Sequence, residues 1–231
     1  MNITYINHSG FFVELETSWM LFDYYNRKIP RLPEGKKGYV FSSHRHPDHF
    51  NPKIFKLCEE QADIQFILSS DIWKKKVPEA LREQTFYIRP NTDLAVENIK
   101  IHSLRSTDEG VAFLVTAEDQ VLYHGGDLND WYWKEESKEW NKKMGESFRR
   151  CIEPLRGQKI DAAFIPLDPR QEEYYNCGMD YFLDLTETKK VYPMHFWEQP
   201  GIIEQWISEH ADSPHAHKIV KITGAGDVFR Q

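Results

Sequence analysis

Residues 42–50 read SSHRHPDHF, which places His44, His46, Asp48 and His49 within one short segment. Imidazole and carboxylate are the side chains that bind divalent metals. Pro47 keeps His46 out of the helical region, so His44 and His46 lie on extended backbone. Residues i and i+2 of an extended chain project to the same side, and this pair can grip one ion. Asp48 and His49 follow the proline and point in a new direction, toward a second ion. A polar surface turn without metal is the alternative, but four ligand-type side chains straight after a buried strand favour metal.

The elements that must hold this segment can be read around it. ITYINHSGFFVELETSWMLFDYY predicts two or three strands with turns at Ser9-Gly10 and Thr17-Ser18. GYVFSS is a short buried strand that ends at the histidines. Asn51 suits a helix N-cap and Pro52 the first helical position, with Ile54, Phe55, Leu57 and Cys58 on one face. IQFILSS predicts a strand, and DIWKKKVPEALREQ a helix broken at Pro78. TFYIRP and LAVENIKIHSL predict strands, and VAFLVT and VLYHGGD a hairpin around AEDQ. WYWKEESKEWNKKMGESFRRCIEPL reads as mostly helical. KIDAAFIPLD reads as a strand, MDYFLDLTETKK as helix, VYPMHF as strand, IIEQWISEH as helix and KIVKIT as a last strand. That order suits two packed sheets with helices outside.

A chain of 231 residues can bury a substantial core in one domain, residues 1–231. With 40% hydrophobic and 28% charged residues, the composition is that of a globular protein. No apolar run reaches the length of a membrane span, and MNITYINHSG lacks a leader's basic and apolar regions. Cys58, Cys151 and Cys177 are too scattered for a disulfide framework, which points to a reducing cytoplasm. The sequons at Asn2 and Asn7 are then incidental. The net charge of -7 argues against a nucleic-acid partner, and the KKK run at 74–76 reads as a solvated helix face. A homo-oligomer remains open.

HRHPDH resembles the HxHxDH signature of the metallo-β-lactamase fold superfamily. YHGGDLN resembles the segment that carries its bridging aspartate, here Asp127. YPMHFW resembles its last metal-binding segment, with His195 as ligand, and NHSGFFVEL…LFD resembles its first hairpin. The resemblance covers nearly the whole chain and looks nearest to the branch of intracellular hydrolases that includes ascorbate-phosphate lactonases. It implies an α/β fold, an αββα sandwich of two mixed sheets flanked by helices. It implies that His44 and His46 bind a first metal, that Asp48, His49 and His195 bind a second, and that Asp127 bridges. Without it, Asp127 reads as a turn residue after Gly-Gly and His195 as a core histidine. One departure matters. Relatives usually supply a further first-site histidine where this chain has IHSLRSTDEGVAF, and Asp108 stands roughly in its place. Asp108 is taken as that ligand, with a turn-forming role as the alternative and His102 nearby. His124, three residues before Asp127, is expected to face substrate.

The implied activity is a metal-dependent hydrolase in which a hydroxide between two divalent ions cleaves a small ester, lactone or phosphoester. Zinc comes first among the metals, with manganese or iron favoured by an oxygen-rich first site. Asp48 would also orient the nucleophile, as the catalytic residue. Asp168 and Arg170 in IPLDPR follow a strand end, where Arg170 could clamp an anionic group. A turn-capping Asp168 with a solvated Arg170 is equally open. Trp131 and Trp133 read as core anchors ahead of pocket walls. The rivals are a non-catalytic metal-binding protein and a nuclease, the latter opposed by the missing basic stripe. No GxSxG elbow competes, and GAGD near the end lacks a GxGxxG continuation. Elemental analysis of the chain saturated with zinc or manganese is expected to give two ions. A ratio that stays at one would count against the dinuclear reading.

Overall fold

The structure is a computed structural model that describes residues 1–231. The N-terminal run of aromatic and β-branched residues forms three antiparallel strands: β1 (Asn2–Asn7), β2 (Gly10–Glu14) and β3 (Ser18–Phe22). Next come β4 (Lys37–Ser42), β5 (Ile64–Ser69) and β6 (Thr85–Ile88), which add in parallel. A strand covered on both faces needs a continuous apolar run, and all of Ser18–Phe22 is buried.

The second sheet starts with the antiparallel strands β7 (Asp93–Val96), β8 (Ile99–Arg105), β9 (Val111–Ala117) and β10 (Gln120–His124). It continues in parallel with β11 (Lys159–Pro166) and β12 (Glu187–Met194). A final strand, β13 (Val228–Arg230), returns to pair with β1. The orders are β13-β1-β2-β3-β4-β5-β6 and β12-β11-β10-β9-β8-β7. Two mixed sheets packed face to face match the expected sandwich.

The outer layers differ from one another. Helices α1 (Lys138–Ile152), α2 (Cys177–Leu185) and α3 (Gly201–Glu209) cover the second sheet, where Phe182 stacks on Tyr123 at 5.1 Å. The first sheet is covered by 3₁₀ turns, Pro52–Glu59, Lys74–Lys76 and Glu79–Gln84, instead of the expected α-helices. Asn51 does cap the first, accepting from Lys53 N at 3.0 Å. Pro78 cannot donate, so the next segment breaks there as expected. Ile54 and Leu57, three apart and eclipsed in a 3₁₀ turn, bury in the same apolar cluster as Phe66 and Leu68.

Two further expectations are corrected. α2 ends at Leu185, and Glu187–Lys190 belong to β12. Thr188 and Val191 are β-branched and suit the strand. KIVKIT forms only a single bridge, Ile219 to Val191, and the last strand lies further on as β13. All three cysteines are free, and no helix is long and apolar enough to cross a membrane.

The ends of β1, β3, β4, β10, β11 and β12 meet on one rim. His8, Asp23, His44, Asp127, Asp168 and His195 follow these ends within a few residues. The rim is seated on two glycine turns. Gly110 has φ +68, and a Cβ there would lie 2.0 Å from Ser43 O. Gly126 has φ +50, and its Cβ would lie 2.7 Å from Ser43 Cβ. Only glycine lets both turns approach the histidine segment so closely. Gly157 shares the positive φ, +67, but has open space around it. In urea denaturation, Gly157→Ala is expected to cost about 1 kcal/mol from backbone strain alone. Gly110→Ala should cost about 3 kcal/mol, because overpacking adds to that strain. Equal losses would show that the contact with Ser43 carries no weight.

Candidate metal centre

Two groups of four side chains converge on the rim. His44, His46, Asp108 and Asp127 offer ligand atoms within 4.8 Å of one another, and so do His8, Asp48, His49 and His195. Asp127 stands between them. Its Oδ2 is 3.5 Å from His44 Nε2, while its Oδ1 is 3.2 Å from His49 Nε2 and 3.4 Å from His195 Nε2. His44 Nε2 and His46 Nδ1 face each other at 2.9 Å, and Asp108 Oδ2 is 3.6 Å from that His46 nitrogen. His8 Nε2 lies 3.3 Å from Asp48 Oδ2.

His8 Nε2, His49 Nε2 and Asp127 Oδ1 are buried with no hydrogen-bond partner. Buried polar atoms are nearly always paired, so orphaned ligand-type atoms aimed at one another fit a pair of cations.

A second layer of groups aims these ligands. Asp23 is fully buried, accepts from Ser43 N at 2.7 Å and Ser43 Oγ at 2.6 Å, and lies 2.7 Å from His49 Nδ1. The His49 Nδ1–H therefore points at Asp23 and leaves Nε2 for a metal. Ser43 Oγ spends its proton on Asp23 and accepts from His44 Nδ1 at 2.9 Å, which frees His44 Nε2 in the same way. Asp168 repeats the device, with Oδ2 2.9 Å from His195 Nδ1. His8, Asp23 and His195 adopt φ of 56, 42 and 64, a region unfavourable to residues with a Cβ. Such strain is held in place by the surrounding structure and gathers at functional sites.

The charges are interlocked. Burial, helped by the nearby His49, pushes His44 down to about 4, so it is neutral at pH 7. Burial also opposes charge on His49, yet Asp127 and Asp23 outweigh it and raise the group to about 9. Asp23 is pushed up by burial but held down to about 2, chiefly by His124 and His49. Asp127 balances burial against His49, His195 and His44 and also ends low. In the metal-free chain His49 is thus an imidazolium that neutralises its acidic neighbours, and a metal must displace its proton.

Several sequence expectations change here. His124 does not face substrate. It is fully buried, donates from Nε2 to Ser9 O at 2.8 Å, accepts from Gly126 N at 3.2 Å and stacks on Phe22. It fixes the turn that presents Asp127. Of the two readings left open for Asp168, the turn cap holds: it is fully buried behind His195 and caps the turn Pro169–Tyr174 by accepting from Arg170 N at 2.9 Å. Arg170 does reach the cavity, which measures about 420 Å³ and opens onto His46, Asp48, Asp108, Asp127 and His195. Trp131 is buried, as a core anchor would be, and also lines that cavity, while Trp133 is half-buried and lines it. His102 is paired with Asp93 on a distant strand. His8 and Asp23 were missed as individual residues, although they stand at the turn and strand end of the NHSG…LFD hairpin.

Asp127→Ala is expected to lose more bound metal than Asp168→Ala, as read by elemental analysis after gel filtration. Full metal content in both would remove Asp127 from the centre. The His49 pKa is raised above its ordinary 6.5. The stability it lends the metal-free chain is therefore complete below pH 6.5 and lost as pH rises through about 9. The urea midpoint of the metal-free chain should fall across that window. Metal uptake at pH 7 should release protons, detectable by calorimetry in buffers of different ionisation enthalpy.

A family model described as "Beta-lactamase superfamily domain" matches residues 2–142, more than half of the chain. No curated protein matches the sequence. Among solved structures, Igni18, a metallo hydrolase from Ignicoccus hospitalis KIN4/I, is similar with a TM-score of 0.64 at 15% identity, covering 100% of this chain and 98% of that one. CmlA, a diiron β-hydroxylase from Streptomyces venezuelae, gives 0.62 at 10% identity, over 100% of this chain and 54% of that one. YhfI from Bacillus subtilis, a metallo-beta-lactamase fold protein, gives 0.61 at 12% identity, over 99% of each. At these identities the structures speak for the fold, and the ascorbate-phosphate lactonase branch is left unassigned. Motif, sheet order and family match agree, and the chain belongs to the metallo-β-lactamase superfamily.

Proposed function

We propose that the chain, as one domain of residues 1–231, is a metal-dependent hydrolase of a small ester, lactone or phosphoester. The observation that carries this reading is the Asp127 carboxylate at the floor of an open cavity, which belongs to one four-residue ligand group and points its Oδ1 at His49 and His195 of the other, at 3.2 and 3.4 Å. Two divalent ions, when bound, would supply a nucleophile at neutral pH and polarise the scissile carbonyl or phosphoryl oxygen.

The protein groups divide the remaining work. His44, His46, Asp108 and Asp127 would hold one ion, and His8, Asp48, His49 and His195 the other. Asp48 is partly exposed to the cavity and lies within 3.3 Å of His8 Nε2. Burial pushes its carboxyl up, but His8 and His49 reverse this and leave it well below the usual carboxylate range. It therefore stays an ionised acceptor at neutral pH, suited to orient an attacking O–H. Asp23 and Asp168 fix the ring orientations of His49 and His195.

Zinc is the metal proposed, and the Asp108 carboxylate admits manganese or iron. The similar structure of a diiron enzyme supports testing iron. A cytoplasmic setting fits three free thiols. A nuclease is disfavoured, because Arg170 is the only lysine or arginine lining the cavity. Chelation should abolish hydrolysis of a panel of simple esters, lactones and phosphoesters, and zinc, manganese or iron should restore it. Asp48→Asn should lower kcat about 10²-fold or more. A chain that binds two ions and turns over none of the panel would instead be a metal-binding protein without hydrolase activity.

A further inference from the structure

Four of the chain's seven tryptophans, Trp131, Trp133, Trp140 and Trp197, line the cavity over the metal centre. They form a built wall. Trp131 donates from Nε1 to Asp127 O at 2.9 Å, which ties its ring to the bridging residue. Trp133 stacks parallel to it, with centroids 5.7 Å apart and planes 5° apart. The Trp133 backbone is clamped to α1 by buried Asn141, which accepts from Trp133 N at 2.9 Å and donates to Trp133 O at 2.7 Å. Trp140 rises from the first turn of that helix beside Met144, four residues on and on the same face. Opposite, the Arg170 guanidinium lies 5.6 Å from the Trp133 ring and 5.0 Å from the Trp197 ring.

The charges around this wall cancel. Arg170 is held by both oxygens of Asp168, and Arg45 is paired with Glu109. Two divalent ions would bring four positive charges, and Asp23, Asp48, Asp108 and Asp127 offset them. Apart from the ions, the only lysine or arginine lining the cavity is Arg170, and Asp168 already neutralises it. Of the Arg170 nitrogens, Nη1 makes no bond to Asp168 and can donate one hydrogen bond to a polar atom of a ligand.

We infer that the substrate carries a neutral, planar aromatic group beside its scissile bond, as in an aryl ester or an aromatic-fused lactone, and not a phosphorylated sugar. The aromatic group packs against the tryptophan rings that line the cavity while the bond to be cut faces Asp48 and Asp127. Aromatic rings favour offset or edge-on partners of the same kind, and four tryptophans line this cavity beside a single arginine that Asp168 neutralises. This inference rests on the hydrolase reading of the same site.

The test uses the metal-loaded full chain. Tryptophan fluorescence quenching measures binding of 1-naphthoate, acetate and glucose 6-phosphate, and a parallel assay follows cleavage of methyl 1-naphthoate and methyl acetate. Naphthoate is expected to bind at least ten times more tightly than acetate or glucose 6-phosphate. Trp133→Leu and Trp140→Leu should each remove most of that preference, with metal content and melting temperature unchanged. Equal binding of naphthoate and acetate, or tightest binding of glucose 6-phosphate, would overturn the inference. Cleavage of both esters without an aromatic preference overturns it while the hydrolase reading stands. Naphthoate preference with no turnover of either ester or of the ester, lactone and phosphoester panel supports the aromatic ligand class and sinks the hydrolase reading instead. Should one leucine variant fail to fold, the other, from a different element, still decides.

Discussion

The rim depends on one buried anion. Asp23 follows β3 and has no solvent to stabilise its charge, so each of its partners must be supplied by the fold. Ser43 gives it a backbone N–H and a hydroxyl, and His49 gives it a ring N–H. These bonds brace the histidine segment from Ser43 to its last ligand, His49. The parallel pairing of β3 with β4 puts Phe22 opposite Phe41 and so brings Asp23 beside Ser43. A charge-assisted bond is worth most where water is absent, and this one is completely enclosed. The ligand geometry is therefore tied to strand register.

Asp168 does the same from the second sheet but with a different reach. One oxygen turns His195 toward Asp127, and both hold Arg170 beneath Trp133 and Trp197. The orientation of a metal-facing imidazole and the shape of the cavity wall thus share one carboxylate. A change in either is felt by the other through bonds of about 3 Å. The floor and the wall of the cavity act as one assembly, which suits a centre where position matters more than flexibility.

Much of this was legible in the sequence, for local reasons. His44, His46, Asp48 and His49 are adjacent, and Pro47 splits them by a rule that acts on neighbouring residues. The strands around them announce themselves by β-branched and aromatic runs. His8, Asp23, Asp127 and His195 are different, because each stands alone and acquires meaning only through pairing between strands far apart in the chain. His124 stands at the expected rim but on its inner side, and Asp168 was open between the cavity and the turn cap that it forms. Sequence spacing puts a residue after a strand end without saying whether its side chain turns inward, behind a histidine, or outward, to the cavity. The helical type of Pro52–Glu59 was hidden for a similar reason, since its 3₁₀ geometry follows from how Ile54 and Leu57 seat on the sheet.

The eight candidate ligands run from His8 to His195 and are divided between the two sheets. Each group draws on both: His44 and His46 come from the first sheet and Asp127 from the second, while His8 and His49 meet His195. A chain with only one sheet formed can assemble neither group. Metal would then bind the docked state in strong preference to any partly folded one, and that preference adds directly to the free energy of docking. Loop closures of such long range are slow to form. The ion would act as a latch, engaging last and holding the two halves of the sandwich together after their apolar faces have met.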